Sequence, residues 1–303
     1  MYQIPILFII FKRKDVALRT FEKIRDVKPA TLYIACDGPR NDVENEAKLV
    51  EETREAILNS IDWVCNVHKL FQEKNLGCGL GVYTAINWLF ENEGMGIILE
   101  DDCVADPSFF LYAEEMLKRY SEDQRIGMIA GTNQVTKYQM PNSYCFSKYA
   151  ACWGWATWRR AWKNMDINME FLKDYKQSVL KNRGYCGKEM NRWNFQLKTI
   201  SLNRVSAWDW QWYFSLASQN QLCIFPKVNL ISNIGNDSFA THTSLSNIYI
   251  ESHSMSFPMK HPAYIVPDTD FDHAFYKADN SRSAILKRVL PYWLKQMIKK
   301  HIQ

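Results

Sequence analysis

The feature that most constrains the fold is an alternation of strand-like and helix-like segments over the first hundred residues. Residues 4–11 form a continuous apolar run, which is typical of a strand covered on both faces. The strand-like segments are 4–11, 31–36, 64–70 and 96–99, and the helix-like segments between them are 16–27, 44–61 and 82–91. This order predicts a mostly parallel α/β sheet with crossover helices.

A glycine-rich stretch, residues 75–81, joins the third strand to the third helix. It contains neither G-x-x-x-x-G-K-[ST] nor G-x-G-x-x-G, the patterns of phosphate-binding loops. We therefore interpret its glycines as a flexible connection.

Three consecutive carboxylates, Glu100, Asp101 and Asp102, follow the fourth strand. Adjacent acids at the end of a buried strand are costly, because desolvated like charges repel one another. Mg²⁺ or Mn²⁺ would offset that cost, since these ions favour carboxylate oxygens together with substrate phosphates. The structural alternative is a strand end whose acids point into water.

The carboxyl ends of parallel strands share one edge of a sheet, and ligands of open α/β sheets bind beyond that edge. Lys12 and Arg13 follow the first strand, Asp37 follows the second, and the acid triplet follows the fourth. Their convergence favours a binding site over three solvated acids. Asp37 also fits a plain turn before Gly38 and Pro39.

The second half of the chain is less regular. Residues 144–147 and 222–226 are strand-like, and residues 153–162 are an aromatic-rich entry into a helix. Residues 283–301 predict a basic amphipathic helix, which suits either packing on the domain or docking at an anionic membrane surface.

Composition bounds the class of protein. The 303 residues are 47% hydrophobic with a net charge of +4, enough for a large core but too mildly basic to indicate nucleic-acid binding. The eight cysteines are scattered without a C-x-x-C pair, which indicates reduced core residues of a cytoplasmic protein. The apolar N-terminus lacks the flanks of a signal peptide and is too short to span a membrane.

In the order of these features the chain resembles GT-A fold glycosyltransferases that use nucleotide-diphospho-sugars. It is most similar to the N-acetylglucosaminyltransferase I group and its bacterial relatives that build surface polysaccharides. The carriers of the resemblance are residues 5–13, 35–38, 75–77, 98–102, 153–155, 208–209 and 241–242. It implies a Rossmann-like, mostly parallel sheet flanked by helices, with a GT-A domain at 1–245 and a C-terminal helical extension at 246–303.

The resemblance implies a role for individual residues. Asp102 would bind Mn²⁺ or Mg²⁺ on the donor diphosphate, and Asp209 would be the general base of an inverting reaction. Nucleotide and donor contacts would come from Arg13, Asp37, Asn75, Glu100, Asp101, Trp153, Gly154, Trp155 and His242. The acceptor would be a hydroxyl of a glycan or of a lipid-linked acceptor in surface polysaccharide or lipopolysaccharide synthesis, with a UDP-sugar as the donor.

Each role has a structural alternative in the residues themselves. Asp209 lies among Trp208, Trp210 and Trp212, which would desolvate a base and strengthen it, but it equally suits a helix N-cap beneath a tryptophan cluster. Trp153 and Trp155 suit the core as well as a sugar pocket. His242 suits an ordinary loop histidine.

Two other functions compete with sugar transfer. A sugar-phosphate nucleotidyltransferase shares the nucleotide fold and metal-binding acids, but it calls for a glycine-rich loop after the first strand, where this chain has Phe11, Lys12 and Arg13. A non-catalytic carbohydrate-binding protein would explain the aromatics and leave the acids unexplained. We expect a cytoplasmic enzyme that contacts the inner face of the membrane through residues 283–301 and binds no nucleic acid.

Overall fold

The computed structural model describes residues 1–201, 208–235 and 250–279. Their fold is a mixed α/β fold built on an eight-stranded sheet, with strand order β3-β2-β1-β4-β8-β6-β9-β7 and helices on both faces. A two-stranded ribbon, β10-β5, lies beside it. The predicted Rossmann-like fold class is confirmed.

The strands are β1 (Ile6–Ile10), β2 (Thr31–Cys36), β3 (Asn66–Phe71), β4 (Met95–Glu100), β5 (Cys103–Ala105), β6 (Ile126–Ala130), β7 (Tyr144–Ser147), β8 (Trp155–Trp158), β9 (Leu222–Pro226) and β10 (Ile231–Asn233). The helices are α1 (Lys14–Val27), α2 (Glu46–Asn59), α3 (Gly77–Asn92), α4 (Pro107–Arg119), α5 (Arg159–Trp162), α6 (Lys176–Asn182), α7 (Gly187–Ser201), α8 (Asp209–Ser218) and α9 (Thr269–Asp279). A 3₁₀ turn covers Glu170–Leu172.

The first half of the sheet follows the predicted alternation. Strands β3, β2, β1 and β4 are all parallel, and β1 lies between β2 and β4. Side chains of β1 alternate between faces: Phe8 joins the core beneath α1, α2 and α4, whereas Leu7 joins the core beneath α3 and the later helices. Because both faces are buried, the strand is apolar throughout.

In the second half, β8 departs from the sequence prediction. Residues 153–162 were expected to lead directly into a helix, but Trp155–Trp158 is a strand that runs antiparallel to both β4 and β6. The helix that follows, α5, is one turn long. All four residues of β8 are buried, so their aromatic character reflects a central strand covered on both faces.

The glycine-rich stretch is also different from its prediction. Gly77, Gly79 and Gly81 belong to the first turns of α3 and are not a flexible connection. The carboxylate of Asp37 accepts the backbone N–H groups of Leu76 and Gly77 at 2.8 and 2.9 Å and so satisfies donors that a helix start leaves open.

The described part of the predicted extension, residues 250–279, packs on the main sheet. Met255 N–H donates to Ser108 Oγ at the start of α4, and Asp268 N–H donates to the carbonyl of Phe146 in β7. Phe271 of α9 packs on Phe225 of β9 with ring centroids 5.1 Å apart. A domain boundary at residue 245 stays a prediction.

Candidate active site

The polar residues that follow β1, β2 and β4 lie at one edge of the sheet, because these strands are parallel and in register. Ile9 of β1 pairs with Glu100 of β4, and Ile10 pairs with Cys36 of β2. A cavity of about 290 Å³ opens at this edge. We call it the strand-end cavity; its lining includes Lys12, Arg13, Asp37, Asn75, Glu100 and Asp101.

Arg13 is held by two of the three acids. Its guanidinium binds Asp101 through Nε, at 3.1 Å, and through Nη2, which also lies 3.0 Å from Asp102 Oδ2. Asp101 is 6% exposed. The fork of Arg13 therefore neutralises Asp101 and part of the charge of Asp102.

Glu100 carries the charge that Arg13 offsets least. Burial, followed by the negative charges of Asp102, Asp101 and Asp209, raises the pKa of Glu100 to about 8, and Arg13 opposes the shift. Glu100 ends β4 and lines the strand-end cavity. Of the three acids, Asp101 and Asp102 are therefore ion-paired with Arg13, whereas Glu100 resists ionisation.

Asp37 uses its carboxylate within the protein. Oδ1 accepts the N–H groups of Gly38 and Leu76 at 2.9 and 2.8 Å, and Oδ2 accepts that of Gly77 at 2.9 Å. Asn75 Nδ2 donates to the carbonyl of Gly38 at 2.7 Å, which closes the same arrangement. Asp37 and Asn75 were expected to contact a nucleotide, and both line the cavity. Their side chains, however, form hydrogen bonds to the backbone of Gly38, Leu76 and Gly77.

Glu46, at the start of α2, was missed by sequence reasoning. Its buried carboxylate accepts Lys12 Nζ at 2.6 Å and three donors of Arg40: the backbone N at 2.8 Å, Nε at 2.9 Å and Nη2 at 2.5 Å. Hydrogen bonds from Arg40 and Lys12 lower the pKa of Glu46 to about 2. In the sequence Glu46 is one of several charged residues of a predicted helix, and no pattern in the sequence indicates that it contacts Lys12 and Arg40.

A second cavity, of about 260 Å³, lies beside α7 and α8. We call it the aromatic cavity; its lining includes Cys152, Trp153, Trp193, Asp209, Trp210 and Tyr213. Trp193 and Tyr213 stack with centroids 4.6 Å apart and planes 11° from parallel. The lining thus combines aromatic side chains with a carboxylate, which suits a ligand with one apolar and one polar side, such as a sugar ring.

Asp209 is the first residue of α8, and Trp208 before it is the N-cap residue. The alternative of Asp209 as a helix N-cap is therefore wrong. Trp208 stacks on Trp155 of β8 with centroids 5.6 Å apart, so the start of α8 is fixed against the central sheet.

The two cavities are neighbours, because Trp208, next to Asp209, stacks on Trp155, and Trp155 pairs with Ile98, two residues before Glu100. Cys78 lines the strand-end cavity and Cys152 lines the aromatic cavity. Burial and the charges of Glu100 and Asp209 raise the pKa of Cys78 to about 12, and burial with the same two acids raises the pKa of Cys152. Each carboxylate is thus within electrostatic reach of both thiols. The charge of Asp209, in the aromatic cavity, also raises the pKa of Glu100, in the strand-end cavity.

Asp102 offers a hard oxygen ligand for Mg²⁺ or Mn²⁺. Its side chain is 16% exposed, Oδ1 accepts Asn233 Nδ2 at 3.2 Å, and Oδ2 binds Arg13. Within the described ranges, no three His, Cys, Asp or Glu side chains converge as a complete metal site. A single carboxylate fits a metal only when phosphate oxygens and water supply the other ligands.

The remaining predicted residues fall in different places. Trp153 lines the aromatic cavity, whereas Trp155 is fully buried, so its expected contact with a donor is wrong for this structure. Gly154 is buried, with φ at +59°, and its carbonyl accepts Gly131 N–H at 2.8 Å. His242 and the helix at 283–301 lie outside the described residues. Among the described residues, no helix has the length and apolarity that a membrane span needs.

By sequence, the chain matches no protein-family model and no characterised protein. By structure, it is similar to HddC from Yersinia pseudotuberculosis (9% identity, TM-score 0.35, covering 57% of this chain and 86% of that one). It is similar to residues 1–349 of S. aureus TarS (10%, 0.35, 54% and 50%) and to 4-diphosphocytidyl-2C-methyl-D-erythritol synthase from Anaerococcus prevotii (10%, 0.34, 62% and 82%). Similarity at this level does not assign an activity.

Proposed function

We propose that the chain is an inverting, divalent-metal-dependent glycosyltransferase. It moves a sugar from a nucleotide-diphospho-sugar, with UDP as the expected nucleotide, to a hydroxyl of a glycan or lipid-linked acceptor. The observation that carries the proposal is that the strand-end cavity, lined by Glu100, lies beside the aromatic cavity, lined by Asp209. Transfer between two substrates needs such neighbouring sites, with the reacting groups held face to face.

In this proposal the strand-end cavity holds the donor. Asp102 would hold the metal ion together with the diphosphate, and bound there the metal would stabilise the negative charge of the leaving phosphate. Arg13 keeps Asp101 and Asp102 in place. Asp37 and Asn75 shape the loop before α3, which forms one side of the cavity.

The aromatic cavity would hold the acceptor. Asp209 takes the proton of the acceptor hydroxyl, whose oxygen forms a bond to the anomeric carbon of the donor sugar. The bond from that carbon to the diphosphate breaks, and the nucleoside diphosphate leaves with the electron pair. Stacked aromatic faces exclude water from the hydroxyl, which limits hydrolysis of the donor.

A sugar-phosphate nucleotidyltransferase is the second candidate, because Lys12, Arg13 and Arg40 at the strand-end cavity also suit a triphosphate. Against it, only Phe11, Lys12 and Arg13 separate β1 from α1, with no glycine among them. A carbohydrate-binding protein would use the aromatic cavity alone.

One set of assays separates the three functions. The protein is incubated with Mn²⁺ and a panel of nucleotide sugars and acceptor glycans, and release of nucleoside diphosphate is followed. A parallel assay follows pyrophosphate released from nucleoside triphosphates and sugar 1-phosphates. Pyrophosphate release alone would assign the second candidate; glycan binding without either product would assign the third.

Two substitutions then test the assigned roles. Asp209→Asn should keep UDP binding and lose transfer by about a hundredfold or more, because general-base catalysis contributes that much. Asp102→Ala should abolish the Mn²⁺-dependent part of UDP binding in calorimetry. Asp62→Asn, in an exposed ion pair with Arg25, is the matched control. Transfer at a normal rate in Asp209→Asn would place the base elsewhere.

A further inference from the structure

The carboxylate of Glu46 is buried behind two charged residues of the cavity wall and is not itself part of the lining. Its partners, Lys12 and Arg40, both line the strand-end cavity. Lys12 follows β1 and Arg40 follows β2, so one acid on α2 ties together the ends of two neighbouring strands. The side chain of Glu46 has no exposed surface, whereas that of Arg40 is 42% exposed.

The three residues together leave positive charge at the cavity. Two cations share one carboxylate, so the group carries one net positive charge. An ammonium has three N–H donors and a guanidinium has five. Glu46 accepts one donor from Lys12 and two from the guanidinium of Arg40, which leaves further donors for a ligand in the cavity.

The strand order locates this charge relative to the rest of the site. Because β1 lies between β2 and β4, the residues after β1 lie between the Asp37 loop and the acid triplet. A nucleotide that extends from that loop toward Asp102 would cross the residues that follow β1, and Lys12 is one of them. On the far side, Arg13 is engaged by Asp101 and Asp102, so Lys12 and Arg40 are the better placed cations.

We propose that Glu46 is a positioning residue that holds Lys12 and Arg40 as a cationic wall, and that this wall binds phosphate groups of the ligand in the strand-end cavity. Long flexible cations bind weakly when they must be ordered on binding, and a buried carboxylate orders them in advance. The inference rests on the proposed function only in that the cavity receives a phosphorylated ligand.

Calorimetric titration with uridine and with UDP, at fixed Mg²⁺, tests the wall. The measured quantity is the ratio of the two affinities, which a general loss of folded protein does not change. Arg40→Gln and Lys12→Met should each weaken UDP binding by about tenfold, as expected for a lost charge-assisted hydrogen bond, and leave uridine unaffected. Arg25→Gln, which breaks the exposed ion pair with Asp62, is the matched control.

Glu46→Gln tests the positioning role. This substitution keeps the shape of the side chain and removes its charge. The salt dependence of UDP binding should therefore change, and the ratio of the UDP affinity to the uridine affinity should fall. Glu46→Asp restores the charge and should recover part of the ratio. An unchanged ratio in Arg40→Gln and Lys12→Met, or no preference of the wild-type protein for UDP over uridine, would overturn the inference.

The outcomes for the wall and for the reaction are separate. If the ratios shift as expected but no nucleotide sugar is consumed, the wall stands and the proposed transfer is wrong. If transfer occurs and the ratios do not shift, the transfer stands and the wall is wrong.

Discussion

The carboxylate of Asp37 offers the sharpest test of how the strand-end cavity is built. A nucleotide contact and a loop clasp are different roles, and the structure shows Asp37 accepting the backbone N–H groups of Gly38, Leu76 and Gly77. In Asp37→Asn, an amide oxygen at Oδ1 still accepts Gly38 and Leu76, but the amide NH₂ at Oδ2 faces the N–H of Gly77. One hydrogen bond is lost and two lose their ionic character.

The expected cost follows from those three contacts. Hydrogen bonds to charged groups contribute about 1.5–3 kcal/mol each, and neutral ones about 1 kcal/mol. Asp37→Asn should therefore lower the free energy of unfolding by about 2.5–7 kcal/mol. Asp106→Asn is the control, because Asp106 accepts the N–H of Ser108 as an N-cap and Asn caps almost as well.

Urea denaturation measures the stability, and hydrogen exchange at the amides of Leu76 and Gly77 reports the loop. We expect exchange there to speed by about thirtyfold or more if opening is local, since 1.4 kcal/mol corresponds to tenfold. UDP binding should weaken in parallel, because Asn75 and Gly77 line the cavity. Lost UDP binding with unchanged stability and exchange would refute the clasp and make Asp37 a direct ligand contact.

Two further predictions concern a buried acid of α9, Asp272, and the proposed metal ligand, Asp102. Burial raises the pKa of Asp272 from 3.8 to about 6 despite hydrogen bonding by Ser147 and the nearby charges of Lys148 and Arg183. The folded protein then binds the proton more tightly than the unfolded chain, so this residue lowers stability as pH rises from about 4 to 6, by at most about 3 kcal/mol. Unfolding curves at pH 4 and pH 7.5 should show Asp272→Asn gaining stability over wild type toward pH 7.5; a difference independent of pH would contradict the shift. At Gly235, an added Cβ would lie 2.0 Å from Asp102 Oδ2, whereas one at Gly94 meets nothing within 4 Å. Gly235→Ala should therefore lower transfer by about a hundredfold through a displaced carboxylate, and Gly94→Ala should leave it unchanged; equal rates in both variants would mean that the position of Asp102 does not matter.

Strands β1, β2 and β4 were predictable because they are continuous apolar runs, mostly buried in the sheet. Strand β3 lies at the edge of the sheet and is only partly buried, and it begins two residues later and ends one residue later than predicted. Strands β7 and β9 begin and end where the sequence indicated, at Tyr144–Ser147 and Leu222–Pro226. Strand β8 was missed because its residues, Trp-Ala-Thr-Trp, carry no alternation of apolar and polar side chains. The first turns of α3 were missed because the helix start is held by the carboxylate of Asp37, forty residues before Gly77 in the chain.

The site was predictable only as far as residues follow strands directly. Parallel strands bring their carboxyl ends together, so the grouping of Arg13, Asp37 and the acid triplet follows from the order of segments. The hydrogen-bond and ion-pair partners of these side chains do not follow from that order. The pairing of Glu46 with Lys12 and Arg40 depends on how α2 crosses the sheet, which local sequence does not encode.

The reversed direction of β8 has a consequence for how such an enzyme could be altered. Trp155 pairs with Ile98 near the end of β4, so the chain enters β8 at the active edge and leaves it at the opposite edge. Residues 148–154 therefore reach the aromatic cavity as a loop that begins and ends on strands of the rigid sheet. Under the proposed function, exchange of this segment should change acceptor preference and leave nucleotide binding in the strand-end cavity unchanged, because its residues line only the aromatic cavity.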